Sequence, residues 1–345
     1  MPRAPTRPGL IGFLNRIIGR PTPVIYHRRR YLQTLAFEEI KSSPEKPHEF
    51  TAFVLHGLLG SGRNWRSFSR SLASYLAPAR AYMYLPWPPL YAEWRMILVD
   101  LRNHGKSAEI EGFLPPHDIE NAAKDLSDLV KSEGWDWPDV VIGHSMGGKV
   151  ALQFAQSCAQ GHYGDNVSLP KKVIVLPLWV LDSVPGKVIQ DNSDGEVEKV
   201  LKTLQSLPST IPSRKWLVDH MLKLGFSKSL SEWIGSNLKK SGEHVTWAFN
   251  LDGAVQMFNS YREMDYWPLL EHTPKGMEIS IVRAEKSDRW DPDCIRKLEH
   301  ISSKRAGDNE GKVSVHVLPN AGHWVHVDNP KGLLEIVAPN VASVV

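Results

Sequence analysis

The sequence predicts an α/β fold, a mostly parallel sheet with helices on both faces. Short β-branched, apolar runs recur at 50–56, 95–100, 140–143, 173–181, 278–283 and 313–318, and helical periodicity fills the spaces between most of them. Each run has about the length of one strand and is continuously apolar, as strands covered on both faces are. Alternation of such runs with helices is the pattern of a parallel sheet, and no internal repeat or long low-complexity tract suggests another architecture. At 345 residues, 42% hydrophobic and 23% charged, the chain has an ordinary globular composition. It can bury a core without metal or disulfide staples. Two cysteines, Cys158 and Cys294, are too few for a disulfide framework or a four-ligand zinc site, which favours a reducing compartment. No apolar run approaches the length that spans a bilayer.

The chain begins with a basic segment. Residues 1–37 carry seven arginines and no acid before Glu38. Without those seven, the remaining Lys+Arg fall short of the 38 Asp+Glu, so the body of the protein lacks the basic face that nucleic acid requires. An acid-free, arginine-rich leader with the amphipathic stretch 10–18 suits an organelle transit peptide. The scarcity of serine favours a mitochondrial over a plastid address; a cytoplasmic chain with a basic tail is the alternative. Residues 1–47 are therefore read as leader or tail.

The first part of the core is assigned to 48–185. Within 121–131, Ala122, Leu126, Leu129 and Val130 fall on one helical face, with Asp118 available as a cap. Tyr82 to Tyr91 reads as a loop insertion. Pro177, inside the run before Asp182, could bend its strand. Residues 186–274 break the alternation and read as helices only, at 196–207, 214–224, 229–239 and 253–261. Such a block forms a cap over the carboxyl ends of the strands, where open α/β sheets bind ligands. Its aromatics Trp216, Trp233, Trp247, Phe249 and Phe258 serve its packing first and an apolar acyl pocket second. Residues 275–345 complete the core.

Gly143-His144-Ser145-Met146-Gly147 lies between a strand and a helix. A sharp strand-to-helix turn exposes a serine hydroxyl, and glycines on either side remove side chains that would collide across it. His56-Gly57-Leu58-Leu59-Gly60 follows an earlier strand and offers backbone N–H groups. Leu58 and Met146 are the expected oxyanion donors. His56 reads as a turn residue bonding its own loop, and His144 as a packing residue. His323, in the loop after the last strand, is the candidate general base.

These motifs, with Asp100-Leu-Arg102-Asn-His104-Gly105-Lys-Ser107, Leu181-Asp182-Ser183 and Gly322-His323-Trp324, resemble the α/β-hydrolase superfamily from Phe50 to the C-terminus. Gly143 to Lys149, Asn250-Leu251-Asp252 and Pro319 to Trp324 resemble, within it, the abhydrolase domain-containing protein 11 group and its bacterial esterase relatives. The resemblance implies an eight-stranded sheet with a helical cap between strands 6 and 7. It also implies a serine carboxylic ester or thioester hydrolase without cofactor or metal, acting on a small acyl substrate, and a mitochondrial address. The triad acid stays open among three aspartates: Asp182, in the seat that the bacterial relatives use, with Ser287 filling the later position; Asp288, one residue off the common superfamily spacing; and Asp252, in the Asn-Leu-Asp motif. A small-molecule receptor on the same fold and an acyltransferase, suggested by the His323-x4-Asp328 spacing, are the competing functions.

Overall fold

The computed structural model describes residues 34–43, 45–77, 93–164, 176–188, 194–208, 210–242, 244–304, 307 and 310–343. The basic leader before residue 34 and the Tyr82–Tyr91 stretch lie outside them. Among the described residues one sheet holds seven strands in the order β1-β3-β2-β4-β5-β8-β9. They are β1 (Phe37–Lys41), β2 (Phe50–Leu55), β3 (Trp94–Val99), β4 (Val140–His144), β5 (Leu176–Leu181), β8 (Met277–Ala284) and β9 (Lys312–Leu318). All neighbours run parallel except β1, which pairs antiparallel with β3 from Phe37↔Val99 to Lys41↔Arg95.

Alternate residues of each central strand enter two separate cores. Phe53, Leu55, Val141 and Val180 pack against one group of helices, and Ala52, Val54, Val140 and Ile142 against the other. Both faces are dry, which is why the strands read as unbroken apolar runs. Helices α2 (Ile119–Glu133) and α3 (Met146–Ala159) cover the first face; α1 (Arg66–Leu76) and α11 (Pro330–Ala342) cover the second. The Asp118 carboxylate caps α2 by accepting the Asn121 N–H at 2.7 Å. Helix α9 (Pro292–Ser303) links β8 to β9, and the short α10 (Val325–Asp328) precedes α11.

Among the described residues the sheet has seven strands, and the cap falls between β5 and β8. Two expectations are corrected. Phe37–Lys41 is a strand inside the 1–47 segment read as leader or tail; Phe-Glu-Glu-Ile-Lys is short and charged, as edge strands are, and has no fully buried residue to betray it. The cap is not all helix. Between α4 (Asp194–Ser206), α5 (Arg214–Lys223) and α6 (Lys228–Ser236) on one side and α7 (Leu251–Glu263) and α8 (Trp267–Glu271) on the other stands a hairpin, β6 (Leu238–Ser241) and β7 (His244–Trp247). Its two-residue loop places Gly242 at φ 60°, a conformation glycine adopts without strain, and ends the expected 229–239 helix early.

Pro177 does not bend β5 away. Pairing with β4 begins only at Leu178↔Val141, one residue past the proline, so the missing N–H interrupts no bond on that side.

Polar anchors bind the cap to the core. The Lys149 ammonium on α3, fully buried, donates to the carbonyls of Gly186, Tyr261 and Met264 at 2.7, 2.7 and 2.9 Å. On the far side, Asn250 N–H bonds the Asn103 carbonyl at 2.7 Å, and Asn250 Oδ1 caps α7 by accepting from Gly253 N–H at 3.1 Å. A Cβ on Gly253 would stand 2.4 Å from Asn103 Oδ1, so glycine is required where the Asn-Leu-Asp-Gly motif meets the Arg-Asn-His-Gly loop.

Candidate active site

Ser145 sits between β4 and α3 at φ 53°, ψ −121°, and its N–H is held by the Leu181 carbonyl at 3.0 Å. The turn works because nothing else fits inside it. A Cβ on Gly143 would lie 2.2 Å from the Gly147 carbonyl oxygen, and one on Gly147 2.5 Å from that of His56. The strained φ of a non-glycine residue fixes the hydroxyl at the strand end.

His323 Nε2 lies 3.1 Å from Ser145 Oγ, and its Nδ1 lies 2.8 Å from Asp182 Oδ2. A carboxylate facing Nδ1 puts the proton there, which leaves the Nε2 lone pair facing the serine. Asp182, at the end of β5, is fully buried. Its Oδ1 accepts from Ala284 N–H at 3.0 Å and Trp290 Nε1–H at 2.6 Å, and its Oδ2 also accepts from Ser287 Oγ at 2.7 Å. Burial by itself would raise the carboxyl pKa, but the bond and charge of His323 and the bonds from Trp290 and Ser287 outweigh it and hold Asp182 below the usual aspartate range. The three aspartates thereby separate: Asp182 meets His323, Asp288 lines the cavity beyond it, and Asp252 occupies the first turn of α7 in the cap. The Nδ1 bond goes to Asp182. Asp328, five residues past His323, accepts Gly322 N–H at 2.9 Å and so braces the histidine loop.

The loop after β2 is a tight turn in which Gly60 N–H bonds the Gly57 carbonyl at 3.0 Å and Leu59 takes φ 58°. His56 locks it: Nε2 accepts the Leu101 N–H at 3.0 Å, so Nδ1 carries the proton to the Gly57 carbonyl at 2.7 Å. Burial lowers its pKa to about 4, keeping the ring neutral. Leu58 and Met146 both line the cavity beside Ser145. Met146 is the first residue of α3, and the N–H groups of a helix's first turn have no partner within the helix.

His144 does more than pack. Its Nε2 lies 2.8 Å from the His323 carbonyl, an acceptor only, so it donates there and ties the elbow to the histidine loop. Burial first, then neighbouring His323 and His326, push its pKa well below the usual value. Sequence reading also missed Trp290, whose only signal was a tryptophan in the loop following β8.

The site opens into a cavity of about 290 Å³ roofed by the cap. Val197 and Val200 of α4, Leu230 and Trp233 of α6, and Phe258 and Tyr261 of α7 make an apolar ceiling. Of the other cap aromatics, Trp216 stacks on His220 with centroids 5.0 Å apart and Trp247 on Phe249 at 5.1 Å. Among the described residues no cluster of His, Cys, Asp or Glu could hold a metal ion, and no helix is long and apolar enough to cross a membrane.

A serine on a strand–helix turn, a histidine beside it and a buried carboxylate behind, under an apolar roof, make a site of the serine-hydrolase class. The chain belongs to the alpha/beta hydrolase family, whose pattern it matches over residues 52–336. It is similar to the sn-1-specific diacylglycerol lipase ABHD11 of Mus musculus, 23% identical over 84% of this chain and 80% of the relative. A probable protein phosphatase methylesterase 1 of Caenorhabditis elegans is 26% identical over 83% of this chain and 67% of its own. Among solved structures, a marine microorganism esterase shares the fold with a TM-score of 0.64 at 21% identity, covering 91% of this chain and 100% of that one.

Proposed function

We propose that the protein hydrolyses small acyl esters or thioesters through an acyl-enzyme on Ser145. The observation that carries this reading is the unbroken relay from Ser145 Oγ to His323 Nε2 at 3.1 Å and from His323 Nδ1 to Asp182 at 2.8 Å. As Ser145 Oγ bonds the acyl carbon, its proton moves to His323 Nε2, and Asp182 stabilises the imidazolium. The Leu58 and Met146 N–H groups receive the charge on the carbonyl oxygen. The imidazolium returns the proton to the departing alcohol or thiol; water, activated by the same Nε2, then releases the acid. Relatives named as a lipase and a methylesterase support a carboxylic ester as the target. The apolar ceiling suits the acyl chain.

The test is steady-state hydrolysis of p-nitrophenyl esters, from acetate to dodecanoate, by the full chain beside Ser145→Ala. We expect kcat to fall by about 10⁵ to 10⁶ in the variant; turnover that survives it would overturn the reading. A mitochondrial address belongs to the same proposal, supported by the seven arginines and absent acids of residues 1–37. Residues 1–40 fused to a fluorescent reporter should carry it to mitochondria; a diffuse signal would contradict that address.

A further inference from the structure

A second cleft, of about 390 Å³, lies where the core meets the cap, and Asn64 forms part of its wall and of the catalytic cavity's. Beside Leu238 and Val245 its lining carries positive charge, which the apolar ceiling lacks. Arg63, Arg214, Lys239 and Lys240 all line it, from three elements far apart in sequence. In a chain whose body is richer in acids than bases, four converging cations need a reason. Glu109 neutralises one, bonding Lys239 Nζ at 2.5 Å.

The two guanidinium groups are held in place. Arg63 Nη2 donates to the Ser236 carbonyl at 2.9 Å, and Arg214 Nη2 to that of Glu232 at 3.3 Å, both on α6. Gly235 lets Arg214 cross that helix closely: a Cβ there would stand 3.2 Å from Arg214 Cγ. Each guanidinium carries five N–H donors, so one such bond orients the group and leaves donors for a ligand. Oriented guanidinium forks with a lysine beside them match the oxygens of a phosphate, which they can hold by charge-assisted bonds. A cation would be repelled by these groups.

We infer that this cleft binds a phosphate group, presented beside the catalytic cavity across Asn64. Two sources share that chemistry: a phosphorylated leaving group of the substrate itself, or a separate phosphorylated effector. The first source rests on the hydrolase reading; binding as such does not.

The first arm of the test is calorimetric titration of the full chain with pyrophosphate at low salt, in the Ser145→Ala background so that turnover plays no part. Saturable binding is expected, weakened about tenfold when Arg214→Ala or Lys240→Ala removes one charge-assisted contact. Both positions are exposed, and unchanged melting would certify the fold. Absence of binding at millimolar pyrophosphate, or binding indifferent to both variants, would overturn the inference. In the second arm, phenyl butyrate is compared with its 4-phosphate derivative on the protein with Ser145 intact. A lower KM for the phosphorylated ester that disappears in the double variant identifies the substrate as the source; equal KM values alongside pyrophosphate binding identify a separate effector. Failure to cleave either ester would count against the hydrolase reading and leave the first arm standing.

Discussion

On the floor of the catalytic cavity the groups that matter are fixed by backbone conformation and by hydrogen bonds within the core. Ser145 is held at a φ of 53°, Asp182 at 45° and Leu59 at 58°, each at a strand end or tight turn. The roof is fastened differently. Apolar residues of α4, α6 and α7 share one hydrophobic core with the first sheet face, and polar bonds pin the α7 side: the Lys149 ammonium under three carbonyls and the Asn250 N–H on the Asn103 carbonyl. The floor's own bonds all lie within the core, so the relay does not pass through the cap. The roof residues that line the cavity can change, and with them the substrate, without touching the relay below.

Removing Lys149 should separate the two most clearly. Lys149→Met keeps most of the length of the side chain but orphans two buried carbonyls and one partly buried one, so the unfolding free energy should drop by about 3 kcal/mol or more. If the cap is independent of the floor, KM for long-chain esters should rise while kcat for a short ester changes little. Urea titration with paired kinetics checks both; an equal collapse of kcat would show that the floor depends on the cap.

A smaller effect comes from the buried imidazoles that lock the floor's loops. Burial lowers His56 to about 4, and burial with the neighbouring His56 lowers His104 to about 3. Below the ordinary histidine value of 6.5 the unfolded chain takes up protons that the folded chain refuses, so these groups make stability fall as pH drops toward 4. Each should cost roughly 2 kcal/mol by about pH 5. The urea midpoint should therefore decline steadily from neutral pH to pH 5; a flat profile would mean that these rings are not held neutral.

The difference between floor and roof also decides what could be read from sequence. The elbow was legible because its geometry admits only glycine at 143 and 147, and the strands because both sheet faces are dry. Helix α2 declared itself through Asp118 and its apolar face. The charged edge strand β1 carries no such periodicity. The β6–β7 hairpin hid among helix-forming lysines, with only Gly242 to mark its turn. Long-range polar bonds leave no local pattern: Lys149 meets Met264 across 115 positions and His144 meets His323 across 179. The same holds for the acid. Asp182, Asp288 and Asp252 each sit at a plausible element end, and what separates them is the closing of 141 positions between Asp182 and His323.

The most direct test of this arrangement is kcat for a short p-nitrophenyl ester in Asp182→Asn beside Asp288→Asn. Asparagine at 182 keeps the shape but would favour the wrong tautomer of His323, so kcat should fall by about 10⁴, while Asp288→Asn should stay within about tenfold of the unmodified protein. The reverse ranking, with Asp288→Asn carrying the large loss, would contradict the account.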